Sequence, residues 1–123
     1  YGPNKFLSLA LKKLPISIFG NGEEKRDHVY IDYLIDIIFR CINRKALGIL
    51  NLVSGEVNDF RYIAETIQKK LYIKKRIIKL KRNSPMPHNG YRAFNTKRLK
   101  SFFGDIKKIL IGEGLDKYIK KFK

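Results

Sequence analysis

Residues 15–32, PISIFGNGEEKRDHVYID, restrict the fold more than any other part of the chain. Ile16, Ile18 and Phe19 favour a strand. Gly20-Asn21-Gly22 supplies a turn able to reach positive φ. A charged loop follows, then Val29, Tyr30 and Ile31, which favour a second strand, and Asp32, which suits a helix N-cap. This order places Arg26 at the mouth of a β-structure. A guanidinium there can grip a phosphate through its planar fork of donors. It can equally pair with Glu23, Glu24 or Asp27, and the residues alone do not choose between the two.

Beyond this segment, apolar spacing sketches the remaining elements. Phe6, Leu7, Ala10, Leu11 and Leu14 recur at helical intervals over 4–13, and Pro15 stops the run. A helix is expected over 32–44 with Ile35, Ile38, Phe39 and Ile42 as its core face. Residues 49–53 are too short for a helix and read as a buried strand. Asn58 is expected to cap a helix to about Tyr72, with Phe60, Ile63, Ala64, Ile67 and Leu71 inward. Residues 77–80 read as a strand flanked by basic residues. NSPMPHNG at 83–90 is a loop. Helices over 95–103 and 112–122 complete the pass. Strands and helices alternate, so the class is α/β, a partial fold with about four short strands and about five helices. No linker divides the chain, and one portion covering 1–123 is expected.

Composition removes several function classes. No apolar run approaches the ~20 residues that span a bilayer. A single cysteine, Cys41, excludes an internal disulfide and a multi-cysteine metal site. On its helix it reads as a small, half-buried apolar residue. His28 and His88 have no ligand at metal spacing, so no metal site is expected. Asp27 and Asp32 are not read as a catalytic pair, because Asp32 has a capping role and Asp27 is placed to hold the loop or pair with Arg26. The formal charge of +16 is the footprint of a nucleic-acid binder. The charges are spread along the chain, however, and lysine and isoleucine dominate throughout. Compositional bias with some steering of an anionic ligand accounts for them better.

Several pieces stand together in one order: Tyr1-Gly2-Pro3, then PISIFG with its Arg26-Asp27, then GILNLVSGE at 48–56, YRAFNTK at 91–97, Phe103-Gly104 and IGEGL at 111–115. This series resembles the C-terminal part of the extended short-chain dehydrogenase/reductases, the NAD-dependent sugar-nucleotide epimerases and dehydratases. The resemblance implies the substrate-binding lobe of that fold. It implies that Arg26 grips the diphosphate of a nucleotide sugar, and that Ser17, Ile18 and Phe19 lie along the base through strand backbone and the Phe19 ring. The complete enzyme would use NAD, with hydride transfer followed by epimerisation or elimination. The family admits a homodimer, and the composition, with its single cysteine and no signal-like start, fits a cytoplasmic protein.

Other features depart from that pattern. There is no G-x-x-G-x-x-G loop to receive a dinucleotide pyrophosphate. Tyr1 and Lys5 make a Y-x-x-x-K string, the superfamily's catalytic signature. Gly2 before Pro3 disfavours the helix that would align them, so the string reads as a decoy. Met86-Pro87-His88-Asn89 stands where the family often has R-P-G-D, so its second phosphate-gripping arginine is missing there. Neither Arg82 nor Arg92 can be carried over in its place, and Asn95 replaces the usual Asp. The expectation is therefore a nucleotide-sugar-binding portion, inactive by itself, with no catalytic residue of its own. The alternatives are a small basic nucleic-acid-binding module and a degenerate remnant without function.

Overall fold

The computed structural model describes residues 2–122. Tyr1 lies outside them, and so therefore does the Tyr1–Lys5 string. The chain forms two compact units, one from residues 1–26 and 58–92, the other from 27–57 and 93–123.

The first unit is built on two helices and short strands. Helix α1 (Pro3–Leu11) opens with proline at its first position, where the missing N–H costs nothing. It ends two residues earlier than its apolar spacing suggests, because Lys13 turns to φ 55. Phe6, Leu7 and Ala10 are buried on its inner face. Strand β1 (Ser17–Phe19) buries Ile18 and follows the buried Ile16. Strand β2 is Lys25–Asp27. After the second unit's segment come β3 (Val57–Asp59) and α3 (Phe60–Lys70). Asp59 caps α3 by accepting from the Tyr62 N–H at 2.6 Å, a role expected of Asn58. Phe60, Ile63, Ala64 and Ile67 bury the inner face of α3, and α1 packs on it. Phe6 meets Phe60 edge-on at 6.0 Å. Each such buried side chain contributes about 1.5–3 kcal/mol.

Strand β4 (Ile78–Leu80) pairs in parallel with β1, with Phe19 opposite Leu80. A short 3-10 turn, Pro87–Gly90, then leads into β5 (Tyr91–Arg92). Here two consecutive residues, His88 and Asn89, hold positive φ. The second sheet has the order β3-β2-β5. Strands β2 and β5 are parallel, with Arg26 opposite Arg92.

In the second unit, helix α2 (Ile31–Asn43) is followed by α4 (Lys97–Phe103) and α5 (Ile111–Lys120). Tyr33, Ile37 and Leu99 form the core, with Cys41, Leu50, Leu52 and Phe103 packed against it. Leu115 and Ile119 of α5 are also buried. Gly114 lets α5 approach the Tyr30 ring so closely that a Cβ would sit 3.0 Å from it.

Four expectations are corrected. The second strand is Lys25–Asp27, not 29–31, because the Arg26 segment itself pairs with β5. Tyr30, not Asp32, is the N-cap of α2, and Asp32 serves the helix dipole from the first turn instead. Residues 49–53 form no strand; Leu50 and Leu52 reach the core from irregular backbone. The face of α2 made by Ile35, Ile38, Phe39 and Ile42 is exposed, and Tyr33 with Ile37 is the buried side. That helix is apolar almost all round, so spacing alone cannot select its inner face.

The architecture is otherwise the α/β class expected, with five helices and short strands. Among the described residues, no helix is long and apolar enough to cross a membrane.

Candidate functional site

The turn after β1 is anchored at both ends. Gly20 (φ +57) donates to Leu80 O at 2.9 Å, and Gly22 (φ +76) donates to Phe19 O at 2.9 Å. Asn21 donates its N–H to Glu23 Oε2 at 2.7 Å and accepts from Lys79 Nζ at 2.7 Å. The chain then runs against the start of α3. Arg61 donates to Gly22 O at 3.1 Å and Phe60 to Glu24 O at 3.2 Å. Hydrogen bonding by its own backbone N–H, with lesser help from Asn21, Arg82 and Lys79, holds the Glu23 carboxyl below its usual range.

This path buries Glu24, whose side chain is 4% exposed. Its carboxylate carries two guanidiniums. Oε1 accepts from Arg26 Nε at 2.8 Å and also from Arg26 Nη2; Oε2 accepts from Arg82 Nη2 at 2.7 Å. Each arginine is also laid over an aromatic ring. Arg82 stands 5.2 Å above Phe19, and Arg26 stands 6.0 Å from Phe60, at the limit of a cation–π contact. The arginines keep 28% and 21% of their side-chain surface exposed. Two cations and one anion leave the triad with a net formal charge of +1. Among the described residues, Nη1 of neither guanidinium has a hydrogen-bond partner.

The site residues expected from sequence all fall in the first unit. Arg26 is held by Glu24, one of the three carboxylates considered for it, while part of the guanidinium still reaches solvent. Ser17 and Phe19 are half-buried on β1. Ile18 points into the core and is buried as a whole residue, paired with Lys79 of β4. Asp27 faces elsewhere: its carboxylate accepts from Ser54 N (3.0 Å), Ser54 Oγ (2.7 Å) and Gly55 N (2.7 Å), so it holds a loop. Asn95 turns the chain into α4 by accepting from Lys97 N at 2.8 Å. Among the described residues, no group of three His, Cys, Asp or Glu side chains is placed to hold a metal.

Sequence reasoning named Glu24 only as one of three possible partners of Arg26 and left Arg82 aside. The i, i+2 spacing of Glu24 and Arg26 puts both on one face of an extended segment. Arg82 follows β4 as Glu24 follows β1, and parallel pairing sends both to the same end. In open α/β sheets, that carboxyl end is where ligands bind.

No protein-family model matches the chain. The dTDP-4-dehydro-6-deoxyglucose reductase of Escherichia coli is 30% identical over 119 residues, 96% of this chain and 37% of that protein. The Bordetella bronchiseptica enzyme WbmF, solved with NADH, superposes with a TM-score of 0.81 at 22% identity, over 96% of this chain and 35% of that one. UDP-glucose 4-epimerase from Thermotoga maritima, solved with UDP-glucose, gives 0.75 at 20% identity, over 100% and 42%. The chain thus spans a third to two fifths of the length of these relatives. In sequence and in fold it is a relative of the extended short-chain dehydrogenase/reductases, corresponding to their C-terminal part by the order of its motifs.

Proposed function

We propose that this chain is the nucleotide-sugar-binding portion of an NAD-dependent sugar-nucleotide epimerase, dehydratase or reductase. The observation that carries the reading is Arg26. It lies in the R-D segment on β2, fixed by a buried carboxylate while 28% of its side chain stays exposed. A rigid, partly dehydrated guanidinium suits a diphosphate better than a flexible ammonium does. The backbone of Ser17 to Phe19 and the Phe19 ring would border the base. The relatives support the ligand class, since one was solved with NAD+ and UDP and another with UDP-glucose.

The residues here do not fit the dinucleotide itself. The glycine turn at 20–22 leads into a strand rather than into a helix, so no helix N-terminus faces a pyrophosphate there. At the start of α3 stands the Asp59 carboxylate, which would repel one. Hydride transfer with NAD therefore falls to other parts of a complete enzyme, for which a cytoplasmic setting and a homodimer are proposed.

Calorimetric titration of the chain with UDP-glucose and dTDP-glucose tests this. Binding is expected to weaken about tenfold or more in Arg26→Ala, the loss of a charge-assisted contact. Equal affinity of both proteins overturns the reading. Binding of a single-stranded RNA oligonucleotide in preference to both nucleotide sugars, falling steeply with salt, would favour a basic nucleic-acid module instead.

A further inference from the structure

The end of the β1–β4 pair opposite the Glu24 carboxylate is strongly basic, and nucleotide binding does not use it. Parallel pairing puts Ser17 opposite Ile78, and Ile78 donates to Ile16 O at 2.8 Å. The connections that lead into the two strands, one from α1 and one from α3, therefore arrive side by side. Lys12, Lys13, Lys69, Lys74, Lys75 and Arg76 are all exposed there. Residues 1–22 and 66–104 contain no Asp or Glu. Of the carboxylates in this unit, Glu23, Glu24 and Asp59 stand at the other end, where β1 runs out and α3 begins. A lysine-rich composition explains the number of charges but not this separation.

Two apolar side chains share this basic tip. Both helices close in the same way: Leu14 donates to Leu9 O and Ile73 to Gln68 O, each at 2.9 Å, with Lys13 (φ 55) and Tyr72 (φ 54) in the left-handed region. Glycine takes that position without strain. Tyr72 accepts the strain while 91% exposed, so its ring contributes little to the fold. Leu14 is 47% exposed. The Gln68 amide donates to Lys75 O at 2.7 Å and ties the second connection back to α3.

We propose that this tip docks on an anionic bilayer surface. A lysine ammonium is a compact, hydrated point charge, suited to the diffuse field of lipid headgroups, and a cluster of such charges is drawn to an anionic leaflet. A tyrosine fits the same depth, with its ring toward the acyl chains and its hydroxyl in water, and Leu14 adds apolar area beside it. A single-stranded nucleic acid asks for a groove with successive aromatic platforms, whereas the two connections hold one aromatic residue, Tyr72. The contact is peripheral, since among the described residues no helix is long and apolar enough to cross a membrane.

Flotation of the chain with vesicles of phosphatidylcholine, alone or with about 30% phosphatidylserine, tests this. Binding is expected with the anionic vesicles alone, and it should fall as salt rises. Changing Lys12, Lys13, Lys74 and Lys75 together to Gln should weaken it about a hundredfold or more. A control with Lys97, Lys100, Lys117 and Lys120 changed to Gln loses as many charges and should stay within about threefold of the wild type. Tyr72→Gly should bind about threefold more weakly or worse, yet melt at a higher temperature because the strain is gone. Melting curves identify any variant that fails to fold, and the pair Lys74→Gln with Lys75→Gln carries the test should the fourfold variant do so.

Equal losses in the tip variant and its control overturn the proposal and leave bare net charge as the cause. Equal binding to neutral and anionic vesicles overturns electrostatic docking. Preference for a single-stranded RNA oligonucleotide over the anionic vesicles, through the same lysines, overturns the bilayer as partner. Titration with UDP-glucose keeps the outcome apart from the nucleotide-sugar reading: the tip variant should match the wild type, and a joint loss of both ligands overturns the independence of the two ends.

Discussion

Asp27 and Ser54, 27 residues apart, are joined through both the backbone N–H and the hydroxyl of the serine, and the other carboxylate oxygen takes the N–H of Gly55. One side chain thus closes the loop that enters the second unit's core. Ser54 is itself buried and returns a bond to the chain by accepting from Glu56 N at 3.0 Å. Asp27→Ala should therefore cost about 2–3 kcal/mol, since it strands buried donors as well as removing charge-assisted bonds. Asp27→Asn should cost less, because an amide still accepts through one oxygen. Urea unfolding followed by circular dichroism measures both. A loss below about 0.5 kcal/mol for the alanine variant would show that this contact does not hold the loop.

Helix α2 allows a sharper comparison within one element. Ile37 has 0% of its surface exposed and Ile42 has 64%. Ile37→Ala should cost about 2–4 kcal/mol through lost burial and a cavity. Ile42→Ala should stay within about 0.5 kcal/mol. Equal costs would mean that the exposed side of the helix is packed in solution. The urea midpoints of the two variants decide the matter.

This helix also shows where sequence reading stops. Its existence is plain from Ile35, Ile38 and their neighbours, but its inner face is not. Apolar residues surround the axis, and only the contacts of Tyr33 and Ile37 with Leu99 select one side. Likewise the Gly20–Gly22 turn and Arg26 are legible, because turn chemistry and charge are local properties. The meeting of Glu24 with Arg82 is not legible, because it depends on strand pairing between segments 58 residues apart. Residues 49–53 mislead for a related reason. Their apolar character reports burial, which irregular backbone satisfies as well as a strand does.

The turn that sets up the site has little tolerance. Gly22 sits at φ +76, and a Cβ there would lie 2.9 Å from both the Arg61 backbone nitrogen and Ile18 Cδ1. Left-handed strain and overpacking add together, so Gly22→Ala should lose roughly 2–4 kcal/mol. Gly104 is also at positive φ, but a Cβ there would meet nothing within 4 Å. Gly104→Ala should show the backbone strain alone, about 1–3 kcal/mol. Thermal melts of the two variants separate strain from collision. Equal losses would show that the neighbours of Gly22 move aside freely.

Tyr33 gives the chain an alkaline limit. Burial, and secondarily the carboxylates of Asp27 and Asp36, push its phenol above the usual tyrosine value. The folded state therefore holds this proton more tightly than the unfolded state does. Its contribution is complete below about pH 10, where both states are protonated, and is lost as pH rises through the raised folded value. Tyr33→Phe removes this slope. At neutral pH it costs little, because the hydroxyl donates to Val53 O at only 3.5 Å. The measurement is the urea midpoint of both proteins from pH 8 to 11. Ionisations that the two proteins share cancel in the comparison, and the difference isolates Tyr33. The two curves should lie close together at pH 8 and separate above pH 10, with the wild type falling faster. Parallel curves throughout would show that the Tyr33 phenol ionises as readily in the fold as in the open chain.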